Sequence, residues 1–242
     1  MSNIIIVDCR ADDATIKSLE KTGHTVIPTI KLDCLYDSVA SHADMQIHYL
    51  GDNRFVCAPE AYTHYKKLLP DDYTLINGSA QLNSKYPSDI AYNTAALRDF
   101  VICKSRCTAI EILETYRSKG RKILNVSQGY AKCSTCVVNG QAIVTADSGI
   151  ANIVKENAVD TLRIREGHIE LRGMNYGFIG GASGLIDRNV IAFNGELSSH
   201  PDGESIRNFC KDHGTQVIEL KKGILTDIGS IISDTNFLSE NP

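Results

Sequence analysis

The sequence lacks most of the features that would take it out of the ordinary globular class. No apolar run approaches the roughly 20 residues that a membrane-spanning helix needs, so a helical membrane protein is excluded. The apolar stretch Ile4-Ile5-Ile6-Val7 near the start ends on Asp8 and is too short for the core of an export signal. Lysines and arginines number 25 against 29 acidic residues and form no run, so a surface driven by phosphate neutralisation, and with it nucleic acid as a partner, is not expected. Cys133 and Cys136 form a C-x-x-C pair with no second pair to complement it, and in regular β structure they would face opposite sides. The sequence therefore makes no zinc site. No Pro/Gly/Ser-rich linker interrupts the chain, and residues 1–242 read as one domain.

The 242 residues are 43% hydrophobic and 22% charged, enough apolar material for a sizeable core and too much for wholesale disorder. Eight cysteines would suggest disulfides in a small secreted chain. Here Cys9, Cys57 and Cys103 close the apolar runs IIIVDC, RFVC and FVIC, where a free thiol behaves as a small buried hydrophobe. A reducing, cytoplasmic compartment is the expectation.

An internal repeat organises the chain. Strand-length apolar runs occur at Asn3–Asp8, Arg54–Cys57, Phe100–Cys103, Ala142–Thr145 and Val190–Phe193. Each is followed by helical spacing, at Ala14–Lys21, Ala61–Leu69, Ala109–Arg117, Ile150–Asn157 and Ser205–Asp212, and then by a β-rich stretch (HTVIPTI, DYTLIN, KILNV, DTLRI, TQVIEL). Pro59 suits a first helical turn, Asp147 a helix cap, and Gly23, Gly120 and Gly214 the ends of helices. A hairpin strand precedes most units: MQIHYL, IAYN, STCVV, GLI and, at the far end, ILTDIGSII, which Asn3–Asp8 would complete. Asp44, Asp89, Cys133, Gly180 and Asp227 hold equivalent places, separated by 45, 44, 47 and 47 residues. Propeller blades of four strands have a similar period but contain no helix. The chain thus reads as α/β, with five units of strand-strand-helix-strand in pseudo-five-fold symmetry, closed by pairing of its two ends.

That architecture resembles the pentein superfamily of guanidino-group-modifying enzymes, the five-bladed α/β propellers, over the full length of the chain. The strings SHADMQIH, YPSDIAYN, QGYAKCS, GFIGGASG and LTDIGSI are similar to an uncharacterised pentein-like family of clostridial bacteria. The superfamily includes deiminases, dimethylarginine hydrolases and amidinotransferases, together with a non-catalytic ribosome-associated factor. The resemblance implies an H-x-D pair, with the His as general acid/base and the carboxylate gripping a guanidinium, and a cysteine that attacks the guanidinium carbon.

In a ring of repeats, equivalent positions converge on one axis. The set here is His42 with Asp44, Asp89 with Asn93, Lys132 with Cys133, Gly180-Gly181, and Asp227. Converging carboxylates resist ionisation unless a cation joins them, and a planar guanidinium meets carboxylates with paired hydrogen bonds. A metal ion would meet the same demand. His42 and Asp44, two apart on a strand, would share a side; the bland alternative is a loop histidine and a capping aspartate. Cys133 is the candidate nucleophile, with Lys132 beside it favouring the thiolate; a plain core cysteine is the rival. His48 would share the side of Asp44 and is a second-choice acid/base. Gly177–Gly184 lacks the Gly-Lys-Ser/Thr ending of a phosphate loop and reads as a bent strand that admits close approach. Asp202 reads as a helix-start residue.

The final repeat departs from the enzymes. Where they place the nucleophile, Leu225–Ser230 contains no cysteine. The leading expectation is an amidino-group hydrolase or transferase acting on a small guanidino compound through a covalent adduct on Cys133. His42 and Asp44 would be catalytic, and Asp89, Asn93, Lys132, Gly180, Gly181 and Asp227 would bind substrate. No cofactor and no resident metal are expected, and a homodimer is compatible with this reading. The alternative is a non-catalytic pentein that binds a small cation or a macromolecular partner.

Overall fold

A computed structural model describes residues 4–234. The middle strands of five sheets form at the strand-length, largely apolar runs: β1 (Ile4–Val7), β4 (Arg54–Cys57), β7 (Phe100–Cys103), β10 (Ala142–Thr145) and β13 (Val190–Phe193). Strands covered on both faces have no reason to alternate, and all four residues of β1 and of β10 are buried. A helix follows each in turn: α1 (Asp13–Glu20), α3 (Pro59–Leu68), α4 (Ile110–Ser118), α6 (Ser148–Lys155) and α7 (Gly203–Asp212). Asp12 and Asp147 cap α1 and α6 by accepting from the amides of Thr15 and Ile150, and Pro59 opens α3.

Each helix returns the chain to a strand parallel to the middle one: β2 (Thr25–Pro28), β5 (Thr74–Asn77), β8 (Lys122–Asn125), β11 (Asp160–Arg163) and β14 (Gln216–Glu219). Hairpin partners on the other edge are β3 (Ile47–Gly51), β6 (Ala95–Ala96), β9 (Cys136–Asn139), β12 (Ser183–Asp187) and β15 (Ile232–Ser233). The result is five separate three-stranded sheets of one pattern. Four take their strands from consecutive sequence. The fifth joins both ends of the chain, with Ile5 opposite Ser233 and Ile6 opposite Ile232.

Four expected elements form differently. The segment ahead of β3 is a helical turn, α2 (Ala43–Gln46), and the one ahead of β9 is another, α5 (Ala131–Ser134). Residues 39–50 are buried without a break, so their backbone groups must find partners close by, and a helical turn supplies them. Gln46 extends this economy by donating to the carbonyls of Ile30 and Ala40. IAYN is a turn rather than a strand, with the Asn93 amide donating to the carbonyl of Ile90, and only Ala95–Ala96 pair with β7. Of ILTDIGSII, only its last residue, Ile232, is strand, forming β15 with Ser233 just beyond it.

Apolar side chains from the sheets and the covering helices form four buried clusters. The largest centres on Phe55, Tyr65, Tyr92 and Tyr116. All eight cysteines are free thiols. Cys57 and Cys103 are buried as expected, whereas Cys9 is exposed, because the strand ends at Val7 and the chain turns outward at Asp8. Asp202 stands at the start of α7 but makes no cap. Its carboxylate instead holds Arg165, which donates from its backbone amide and its guanidinium. No described helix is long and apolar enough to cross a membrane.

Candidate active site

The segments ahead of the hairpins bring their polar side chains together. Cys133, on α5, is 3% exposed. Its thiol donates to Asp44 Oδ2 at 3.0 Å and accepts from Asn93 Nδ2 at 3.1 Å. Asn93 Oδ1 in turn accepts from the backbone amides of Lys132 and Cys133, at 2.7 and 3.3 Å, which locks α5 against the 90–93 turn. Ser230 Oγ lies 2.6 Å from Asp44 Oδ2 and 2.9 Å from the Gly180 carbonyl, so one hydroxyl proton faces two acceptors. Asp44 Oδ1 is buried with no hydrogen-bond partner.

His42 occupies the N-cap position of α2 without capping it. Its ring sits between two carboxylates, with Nε2 3.9 Å from Asp8 Oδ2 and Nδ1 4.0 Å from Asp227 Oδ1; Nδ1 is buried and makes no hydrogen bond. Asp8 is itself held by Arg10 at 2.6 Å. Asp227 accepts from the backbone amides of Phe178 and Gly229, each at 2.9 Å. Two glycines make this approach possible: a Cβ on Gly181 would overlap the Asp227 carboxylate, and one on Gly229, which has φ +67°, would overlap His42.

His42, Cys133 and Asp227 line a cavity of about 290 Å³ together with Tyr36, Tyr130 and Phe178. The aromatic wall is fixed from behind: Tyr130 donates to Asp89 Oδ2 at 2.6 Å, which leaves Tyr36, 3.2 Å away, to donate to Tyr130. Asp89 is therefore one side chain removed from the cavity, not on its surface. Gly180 and Gly181 also act by proximity, Gly181 donating its amide to the Cys133 carbonyl at 2.9 Å. Lys132 points elsewhere, into a smaller cavity of about 70 Å³ that it lines with Asp44, His48 and Thr94.

The electrostatics reverse one expectation. Burial above all, and then the carboxylates of Asp44 and Asp227, push the Cys133 thiol well above its ordinary value, and only the Asn93 hydrogen bond opposes them. Lys132 does not activate it, because successive residues of a helical turn point about 100° apart. Burial likewise raises the Asp227 carboxyl, with Asp44 adding to the effect while His42 and two amides oppose it. His48 is pushed down to about 3 by burial, with Lys132 and Arg121 contributing, and its Nε2 meets the Tyr116 hydroxyl at 2.7 Å. It is a neutral structural histidine.

His42 and Asp44 thus come to one place, but through a helical turn rather than through strand alternation. Asp8 and Ser230 were not among the expected site residues. Asp8 follows β1, outside the aligned positions; Ser230 lies within the string LTDIGSI and has φ +69°, a strained value for a residue other than glycine. No group of three or more His, Cys, Asp or Glu side chains among the described residues is placed to hold a metal ion. What remains is a protonated thiol that lines a small aromatic-walled cavity with Asp227 and His42 and is backed by the Asp44 carboxylate. Such a pocket suits a compact organic cation.

Comparison with known proteins agrees with this architecture. A family model described as "Family of unknown function (DUF6873)" matches residues 6–232. No curated protein sequence matches the chain. Among solved structures, an amidinotransferase of Microseira wollei in the saxitoxin biosynthetic pathway is 13% identical, with 90% of this chain and 88% of that one covered at a TM-score of 0.54. A dimethylarginine dimethylaminohydrolase bound to 4-chloro-2-hydroxymethylpyridine is 10% identical, with 90% and 92% covered at a TM-score of 0.56. An agmatine deiminase of C. jejuni is 8% identical, with 91% and 88% covered at 0.54. All three have the pentein fold. At these identities the likeness concerns the fold.

Proposed function

The chain belongs to the DUF6873 family and has the pentein fold, and from that premise we propose that its acidic cavity binds a small guanidino compound and passes an amidino group through Cys133. One observation carries this reading. Cys133 shares one cavity with His42 and Asp227, and its sulfur donates to the buried Asp44 carboxylate that lies outside that cavity's lining. Five like-built sheets, with β15 joined to β1 and β12 lying against β9 and β15, support a five-bladed ring around this cavity.

A guanidinium paired with Asp227 in this cavity, with Asp44 behind the sulfur, offsets the negative charge that adds to burial in holding the thiol protonated, so the substrate itself helps to prepare the nucleophile. The sulfur then forms a bond to the guanidinium carbon while the C=N electron pair moves to nitrogen. The C–N bond to the departing amine breaks, and the proton shed by sulfur ends on that amine, with His42 assigned to deliver it. An S-amidino cysteine remains. Water or a second amine attacks its carbon and restores the thiol.

Intact-mass measurement during incubation with a panel of guanidino compounds tests this. The expected result is wild-type protein heavier by one amidino group, with no gain in Cys133→Ser. A second reading, a cation-binding protein without chemistry, is favoured by one fact: carboxylates rather than a cation face the thiol. Saturable binding without an adduct would establish that reading instead.

A further inference from the structure

The corner at Gly229-Ser230 places two successive residues in the left-handed region, at φ +67° and +69°. Glycine takes that conformation freely, whereas any other residue brings its Cβ against the backbone. The first position is a glycine, as this rule asks. The second is not, although it is fully buried and a glycine would turn the same corner without strain. Main-chain bonding does not explain the serine. Its amide donates to the Gly181 carbonyl at 2.8 Å, and a glycine amide would do the same. What the serine adds is a hydroxyl.

That hydroxyl reaches the carboxylate behind the sulfur. Ser230 Oγ lies 2.6 Å from Asp44 Oδ2, the length of an O–H bond to a carboxylate, and 2.9 Å from the Gly180 carbonyl, so its one proton is assigned to Asp44. Oδ2 is also the atom to which the Cys133 thiol donates, at 3.0 Å. One oxygen therefore serves two donors, while Oδ1 has no partner. Electron density drawn toward Ser230 is withheld from the thiol, which weakens the hold of Asp44 on the sulfur's proton. The same corner also fixes the carboxylate from its backbone end, because the Asp44 amide donates to the Gly229 carbonyl at 3.0 Å.

We propose that Ser230 is a positioning residue for Cys133: by occupying Asp44 Oδ2, its hydroxyl loosens the thiol proton that has to leave before the sulfur can attack. The purpose of this arrangement rests on the amidino-transfer reading of the cavity, but the link from Ser230 through Asp44 to the thiol needs no substrate. Ser230 itself neither gains nor loses a proton during the cycle, so the course of the transfer is unchanged. The strained backbone is the cost of setting a hydroxyl where a glycine would otherwise stand.

Infrared difference spectra in the S–H stretching region test the link in the full chain, each protein being measured against its own Cys133→Ser partner. Ser230→Gly removes the hydroxyl and relieves the backbone; Ser230→Ala removes the hydroxyl and keeps the strain. In both, the Cys133 band is expected at lower frequency than in wild type, because Asp44 then draws on the thiol alone. In an Asp44→Asn background neither substitution should move it. An unmoved band, a shift in only one of the two variants, or an equal shift without the Asp44 charge overturns the proposal. Intact-mass measurement with guanidino compounds reads the consequence separately. Where wild type gains an amidino group, Ser230→Gly should gain it about tenfold more slowly, the scale of one charge-assisted hydrogen bond. An equal rate overturns the positioning role and leaves the amidino reading intact. If wild type gains none, the amidino reading falls, and the infrared band decides whether Ser230 acts on the thiol.

Discussion

Gly181→Ala isolates what the glycine-rich segment does for the site. A Cβ there would lie on Oδ1, Cγ and Oδ2 of Asp227, closer than real Cβ atoms come to anything, so the carboxylate has to leave. Leaving breaks its two 2.9 Å hydrogen bonds to the amides of Phe178 and Gly229. Hydrogen bonds to charged groups contribute about 1.5–3 kcal/mol each, so the substitution should cost about 3–6 kcal/mol. That is a large share of the roughly 5–15 kcal/mol that holds a domain folded. Urea denaturation of a double-mutant cycle gives the test. The three atoms nearest to a Gly181 Cβ all lie beyond the Asp227 Cβ, so in an Asp227→Ala background Gly181→Ala should cost under about 1 kcal/mol, and the pair should be strongly non-additive. Gly177 is the control. Its Cβ would meet the Asp227 Cβ itself and the Glu170 carbonyl, which Asp227→Ala leaves in place, so Gly177→Ala should remain costly there. Additive costs for Gly181→Ala and Asp227→Ala, within about 0.5 kcal/mol, would refute the claim that this glycine exists to admit the carboxylate.

Removing the Asp44 charge takes away one of the causes that raise the Cys133 thiol, so Asp44→Asn should speed its alkylation by neutral reagents at pH 8–9, read by peptide mass spectrometry; an unchanged rate counts against the contact. Asp227 is raised in the folded state, so its ionisation works against folding as pH climbs from the ordinary carboxylate value through the raised one. Asp227→Asn should therefore gain stability relative to wild type over that rise, and a difference constant with pH would contradict the shift. His48 is depressed to about 3, so its contribution is complete above its ordinary value of 6.5 and is lost as pH falls from there. Wild type should lose up to about 1.4 kcal/mol per pH unit over this window. His48→Gln should flatten the slope, and an equal slope in both proteins refutes the assignment.

The repeat was readable because the middle strand of each sheet is largely apolar and each helix carries its own start or stop signal, as Asp147 and Gly120 do. Aligning the repeats also brought Asp44, Cys133, Gly180 and Asp227 to one neighbourhood: the structure bonds Asp44 to Cys133 directly and to Gly180 through Ser230, and packs Asp227 against Gly181, whose amide donates to the Cys133 carbonyl. What stayed hidden is local geometry set by burial. The segments of Asp44 and Cys133 look strand-like in sequence, yet fold as helical turns because the chain around them is enclosed. That one change turns Lys132 away from Cys133. Asp8 escaped notice because it follows β1 instead of preceding a hairpin, although an apolar run ending in a buried carboxylate is itself a signal. Asp89 carries the right residue type at the right period, but Tyr130 stands between it and the cavity.

The central claim is that a cation belongs beside Cys133. The most direct measurement compares alkylation of each cysteine by 2-chloroacetamidine and by its neutral counterpart 2-chloroacetamide, resolved by mass spectrometry. A bound amidinium places the reactive carbon at the sulfur and offsets the carboxylates around it. Cys133 should therefore prefer the cationic reagent over the neutral one by about tenfold or more beyond the ratio shown by exposed Cys9, and Asp44→Asn should abolish that preference. The same reagent ratio at Cys133 and Cys9, or a preference that persists without the Asp44 charge, would contradict the account.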